Sequence, residues 1–192
     1  MTMTQHSLMK NSAKRAMTTI GQKACMVLDH LVEALGSEPS SSIRRAMILV
    51  DIDQYPGSTQ TAIMERLNIN KSALNREIDW LFNYGCIMVQ DSAKDGRSKQ
   101  IHICGYSKKA LNSALDYCEQ DHEKLKFFLH NTDKTLKSEK STLRDAKIVA
   151  SLFEKKEAEK QGIIGSLYGG SPSTDNRALN KLIETGIIED DA

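Results

Sequence analysis

The residues best suited to chemistry in this 192-residue chain fall in three short polar clusters. Lys71, Ser72, Asn75 and Arg76 occupy one and a half turns of a predicted helix, on the side away from Leu74, Ile78 and Leu81. Arginine can pair bidentately with guanine and asparagine with adenine, while serine and lysine can take phosphate oxygens. Ser58, Thr59, Gln60 and Thr61 open a shorter helix, whose free backbone N–H groups suit a phosphate. Lys94, Arg97, Ser98 and Lys99 surround Asp95-Gly96, a turn dipeptide, and could reach a minor groove and its flanking phosphates. Any one cluster is an ordinary solvated face. Three on one small unit suggest a surface for duplex DNA.

The elements that must position these clusters follow from hydrophobic period. Residues 1–11 are polar and aperiodic and predict a flexible tail. Ala13, Met17, Ile20, Ala24, Val27, Leu31 and Leu35 form a helical stripe over 12–35, stopped by Gly36 and Pro39. The unit 43–106 starts with a helix over Ile43–Tyr55 and a short one from Thr59. A third runs from Lys71 to Tyr84, with Asn70 as its cap and Gly85 just past its end. The period then changes to two. Cys86–Gln90 and Gln100–Cys104 predict an antiparallel hairpin. A hairpin behind a helix-turn-helix is a winged helix, so the expected class is mostly α with a small β wing.

Beyond the wing, Leu111, Leu115, Cys118, His122, Leu125 and Leu129 predict one long helix within 107–130, and 131–142 reads as a polar linker. The two long seams, at a period near 3.5, are expected to be dimerisation helices. The interface would use Met17, Ile20, Ala24, Val27 and Leu31 with Leu111, Leu115, Cys118, His122 and Leu125. His122 in such a seam is expected to be a core histidine with a satisfied hydrogen bond.

The last segment, 141–192, repeats part of the first unit at an offset of 101 residues. Ser72, Asn75, Arg76, Leu81, Gly85, and Ile87 lie over Ser173, Asn176, Arg177, Leu182, Gly186 and Ile188. Gln60 meets Gln161 and Ile63 meets Ile164 at the same offset. Ser173, Thr174, Asn176 and Arg177 are thus a possible second DNA site. Asp175 among them, with Glu189, Asp190 and Asp191 at the end, argues for a remnant that mainly makes protein contacts.

Composition limits the function classes. Lys+Arg is 26 and Asp+Glu 25, for a net charge of +1, and 40% of residues are hydrophobic, which suits a folded domain. Residues 43–110 carry +3 and 141–192 carry −2, so the anionic partner belongs in the middle third. No apolar stretch exceeds five residues, and no signal peptide is recognisable, so the expected location is cytoplasmic. Cys25, Cys86, Cys104 and Cys118 lack metal spacing and have apolar neighbours, which predicts reduced, packed thiols. His6, His30, His102 and His130 share no metal spacing either. Tyr168-Gly169-Gly170-Ser171 lacks the lysine of a phosphate loop. No nucleophile–base pair stands out. Neither an enzyme nor a cofactor is expected, and no membrane partner; a small-molecule ligand is not defined by any motif.

The stretch Gln54–Ala110 resembles the MarR family of winged-helix regulators. The resemblance rests on Pro56-Gly57-Ser58-Thr59-Gln60, Ile69-Asn70-Lys71-Ser72-Ala73-Leu74-Asn75-Arg76 and Gly85-Cys86-Ile87. Asp95-Gly96-Arg97 and Tyr106-Ser107-Lys108-Lys109-Ala110 complete it. It implies a homodimer that binds double-stranded DNA in a sequence-specific way and regulates transcription. Two departures stand beside it: Trp80, Phe82 and Tyr84 replace charged family positions and suggest a covered surface, and the chain continues into the second unit. Alternatives are a plasmid or phage replication or partition protein on repeated sites, and a winged helix that binds protein.

Overall fold

The computed structural model describes residues 20–91, 98–136, 140–154 and 171–185. Met17, Lys94, Arg97, the repeat partners Gln161, Ile164, Gly186 and Ile188, and the terminal acids lie outside them. In chain order the elements are α1 (Ile20–Ala34), α2 (Ile43–Gln54), α3 (Gln60–Leu67), α4 (Lys71–Asn83), β1 (Ile87–Asp91) and β2 (Lys99–Ile103). Then come α5 (Gly105–Asp116), α6 (His122–Leu136), α7 (Leu143–Glu154) and α8 (Pro172–Glu184). Residues α2 to β2 make a winged helix-turn-helix, as the sequence predicts.

Four helix starts are fixed by a side chain that satisfies a free N–H group, whereas Cys104 gives α5 no side-chain cap. Ser42 caps α2, Thr59 caps α3, Asn70 caps α4 and Ser171 caps α8. Asn68 ends α3 in the left-handed region, which gives the tight turn into α4. Gly85, at φ 68°, turns the chain from α4 into β1. In the wing Ile87 pairs with Ile103 and Val89 with Ile101, and the Ser58–Ile101 bridge ties the start of α3 to the sheet.

The expected long helix over 107–130 is two helices. Glu119 and Gln120 both have positive φ, and the Gln120 N–H returns to the Leu115 carbonyl to close α5. The Asp121 carboxylate then accepts from the N–H groups of Glu123 and Lys124 and opens α6. The seam hid this break because Cys118 and His122 keep apolar spacing on both sides of it. α6 also runs on to the buried Leu136, into the segment read as linker.

The seam residues close inside the chain. α1 packs on α5 and α7, and Val27, Leu31, Leu111, Leu115 and Leu125 are buried in the core. Ala24, Cys118 and His122 are half-buried, and Ile20 alone of the described seam is open, at 89% exposure. His122 Nε2 donates to the Asp53 carboxylate at 2.8 Å, so it is satisfied as expected.

A backbone bridge joins the starts of α2 and α7. Ser42 and Thr142 form an antiparallel bridge: the Ile43 N–H donates to the Ser141 carbonyl at 3.0 Å, and the Leu143 N–H to the Ser41 carbonyl at 2.9 Å. Around it α1 packs on α7 and α6 packs on α2.

Candidate nucleic-acid interface

The floor beneath the candidate surface is α4's apolar face. Ala73, Leu74, Ile78 and Leu81 are buried, which fixes the rotation of the helix and turns Lys71, Ser72 and Arg76 to solvent. Asn75 is half-buried at the edge of that face. Asn70 is used locally: its Oδ1 accepts from the Ala73 N–H at 2.8 Å and from the Ser72 hydroxyl at 2.9 Å. Its role is to hold the first turn, where recognition helices meet base edges.

The α3 cluster divides in the same way. Gln60 and Thr61 are exposed, whereas the Thr59 hydroxyl accepts from the Ala62 N–H as a cap. Ser58 donates to the Tyr55 carbonyl at 2.7 Å and accepts from Arg66 at 2.8 Å. Both of its bonds are therefore internal. On the wing, Ser98 is half-buried and Lys99 exposed, opposite Asp91 in the strand register.

Two buried carboxylates, passed over in the sequence, hold this platform on the long helices. Asp51 takes three bonds from Arg66, two shared by Nε at 3.1 Å and one from Nη2 at 2.6 Å, and one from Lys126 of α6 at 3.2 Å. Asp53 binds Lys108 of α5 at 2.5 Å and His122 of α6. Buried charge is costly unless paired, and both acids are paired with cations from elements outside the wing. The hydrogen bonds to Asp51 push the Arg66 guanidinium pKa up, so it stays cationic at any working pH. The signal was present as two acids, Asp51 and Asp53, two residues apart and bracketing Ile52 directly after the apolar run Ala46–Val50.

The aromatic departures have a local explanation. Trp80 stacks on Tyr84 at 3.9 Å between ring centroids, and Arg45 lies over the Trp80 ring at 4.1 Å. Arg45 also binds Glu77 at 2.7 Å. Trp80 is thus covered by side chains of its own unit, while Phe82 remains open at 54% exposure.

The thiols are packed as expected. Burial raises the pKa of Cys86 and of Cys118, which keeps both protonated and weakly nucleophilic. Among the described residues there is no cluster of histidine, cysteine or carboxylate fit for a metal ion, and no helix long and apolar enough to cross a membrane.

α8 shows the second candidate cluster in a matching frame. Ser173 and Arg177 are exposed, Thr174 and Asn176 half-buried, and Leu179 and Leu182 buried. Asp175 faces inward at 2% exposure, with Oδ1 3.1 Å from Arg144 Nε of α7. The two atoms lie off the hydrogen-bond angle, so the pair is held by charge.

No curated protein matches the chain. Residues 42–99, from the Ser42 cap of α2 to the first residue of β2, match the model of the MarR family, and this segment is a MarR-like winged helix-turn-helix.

Proposed function

We propose that the protein is a transcriptional regulator that binds double-stranded DNA, with α4 as the helix that reads sequence. The observation that carries this is the orientation of α4. Its buried face is anchored, its first turn is capped by Asn70, and its free groups are Lys71, Ser72, Asn75 and Arg76. The match of 42–99 to a family of DNA-binding regulators supports it. Arg76 supplies the bidentate contact, Asn75 a second base contact, and Lys71, Ser72, Gln60, Thr61 and Lys99 meet phosphates. Such a regulator works in the compartment that holds the DNA, here the cytoplasm. Val27, Leu31, Leu111, Leu115 and Leu125 are already buried within one chain, so a homodimer would draw on the rest of the seams, such as the exposed Ile20, or on another surface.

The test is a fluorescence titration against a duplex selected from fragmented genomic DNA. Arg76→Ala should cost about 1–3 kcal/mol at that site and relax base preference. Lys99→Ala should weaken all sequences alike and lower the salt slope by about one. Unchanged affinity in both variants overturns the reading.

A further inference from the structure

We propose that α8 is a second DNA-reading helix, so that one chain presents α4 and α8 to the two halves of a single site. The proposal rests on the DNA-binding reading of α4 and goes beyond it.

The duplication extends well past the stretch legible from the last helix. Ser41-Ser42-Ile43-Arg44-Arg45-Ala46-Met47-Ile48 lies over Ser141-Thr142-Leu143-Arg144-Asp145-Ala146-Lys147-Ile148, now at an offset of 100. The backbone bridge between Ser42 and Thr142 pairs these two segments antiparallel. Contacts across the core repeat as well. Lys126 of α6 reaches Asp51 of α2, and at the corresponding positions Cys25 of α1 meets Ser151 of α7 at 3.6 Å. Each leading helix therefore packs on the other unit's first helix.

α8 sits in its unit as α4 sits in the first. Ser171 caps it where Asn70 caps α4. Position by position over 13 residues, the buried, half-buried and exposed classes of the two helices differ only at Ala73/Thr174 and Phe82/Ile183. The exposed or edge residues Ser72, Asn75 and Arg76 correspond to Ser173, Asn176 and Arg177, and exposed Asp79 to the neutral Asn180.

Beside the terminal acids Glu189, Asp190 and Asp191, the sequence raised an objection within the helix itself, Asp175, a carboxylate among the readers. The structure removes it. Asp175 takes the inward position of Leu74, and Arg144 neutralises it from below. The first turns of α8 offer Ser173, Asn176, Arg177 and Asn180 to solvent, without a carboxylate among them, and the exposed Glu184 stands at the far end of the helix. Two such helices in one chain would supply the pair of reading elements that dimeric regulators otherwise obtain from two chains.

Selection of the full chain on a library of random-sequence duplexes, followed by titration and native mass spectrometry, tests this. The expected result is two half-sites about 10 base pairs apart, occupied by one chain. Arg177→Ala should relax one half-site and lose roughly tenfold to a hundredfold in affinity, and Arg76→Ala should relax the other. Arg177→Lys, which keeps the charge but not the planar fork, should lose base preference at an unchanged salt slope. Circular dichroism confirms the fold of each variant. Wild-type affinity in Arg177→Ala beside a loss in Arg76→Ala overturns the second reader and leaves the first. Two chains per duplex, with Arg76→Ala relaxing both halves, also overturns it. Failure to enrich any sequence overturns both readings.

Discussion

Helices α4 and α8 share a pattern of burial and differ in what fills it. Leu74 in the first becomes Asp175 in the second, equally buried, and the change is matched by Arg144, whose counterpart Arg44 is exposed. Arg45 over the Trp80 ring becomes Asp145 beside Lys181. Ser42, a simple cap, becomes Thr142 in a reciprocal box, where the Asp145 N–H donates to the Thr142 hydroxyl and the Thr142 N–H to the Asp145 carboxylate. The difference teaches that position in the frame sets burial, while the chemistry at each position can change if its partner changes too.

The sharpest way to break the comparison is at its most altered point. Removing one partner of a buried ion pair leaves the other charge uncompensated. Arg144→Ala should therefore destabilise the α7–α8 unit by about 3–5 kcal/mol, read by hydrogen exchange of the α8 amides. Arg144→Ala combined with Asp175→Leu restores the pattern of the first unit and should recover most of that loss, because apolar replacement of a buried pair is often neutral or better. A double variant no more stable than Arg144→Ala alone would show that position 175 is not the equivalent of 74.

The caps give a smaller and more even test. Asn70→Ala and Ser171→Ala should each cost about 1 kcal/mol, since each leaves one first-turn N–H without its side-chain acceptor. Chemical denaturation of the two variants measures both. Equal costs support equivalent helix starts; a cost at Asn70 alone means that α8 is held by Pro172 and packing instead. Each cap also holds a hydroxyl of the reading face, Ser72 on Asn70 and Ser173 on Ser171, so loosening either first turn should lower DNA affinity along with stability.

What was legible in the sequence follows from range. α2, α3, α4 and the wing were visible because caps, turn residues and period are local, and the inner face of α4 was read residue by residue. The exposed status of Lys71, Ser72 and Arg76 followed from the same spacing. The break at Glu119–Gln120 was not visible, because a seam interrupted by five residues still keeps its phase. The role of Asp51, Asp53 and Asp175 was not visible either. Each is decided by cations that arrive from 15 to 75 residues away along the chain, and sequence spacing carries no signal of that. The repeat was seen in α8 but not in α7, since its offset changes from 101 to 100 between the two helices.

The smallest effect concerns the contact between the two helices of each unit, where the partners have been exchanged altogether. In the first unit Arg45 is clamped between Glu77 and the Trp80 ring, and both partners are largely shielded from water. In the second, Lys181 meets the buried Asp145 at 3.4 Å but keeps 43% of its side chain exposed. An ammonium that open is solvated and screened, so its pairing is worth under about 1 kcal/mol. The Asp145 carboxylate also keeps the Thr142 N–H when Lys181 is removed. Lys181→Ala should thus lower stability by about 0.5 kcal/mol in dilute buffer, and raising the salt concentration should erase most of that difference. Trp80→Ala should cost more, and its cost should hardly depend on salt, because it removes packed aromatic surface as well as a cation–π contact. A salt-independent loss in Lys181→Ala would mean that the lysine's methylene stem, not its charge, takes the place of Trp80 between the helices.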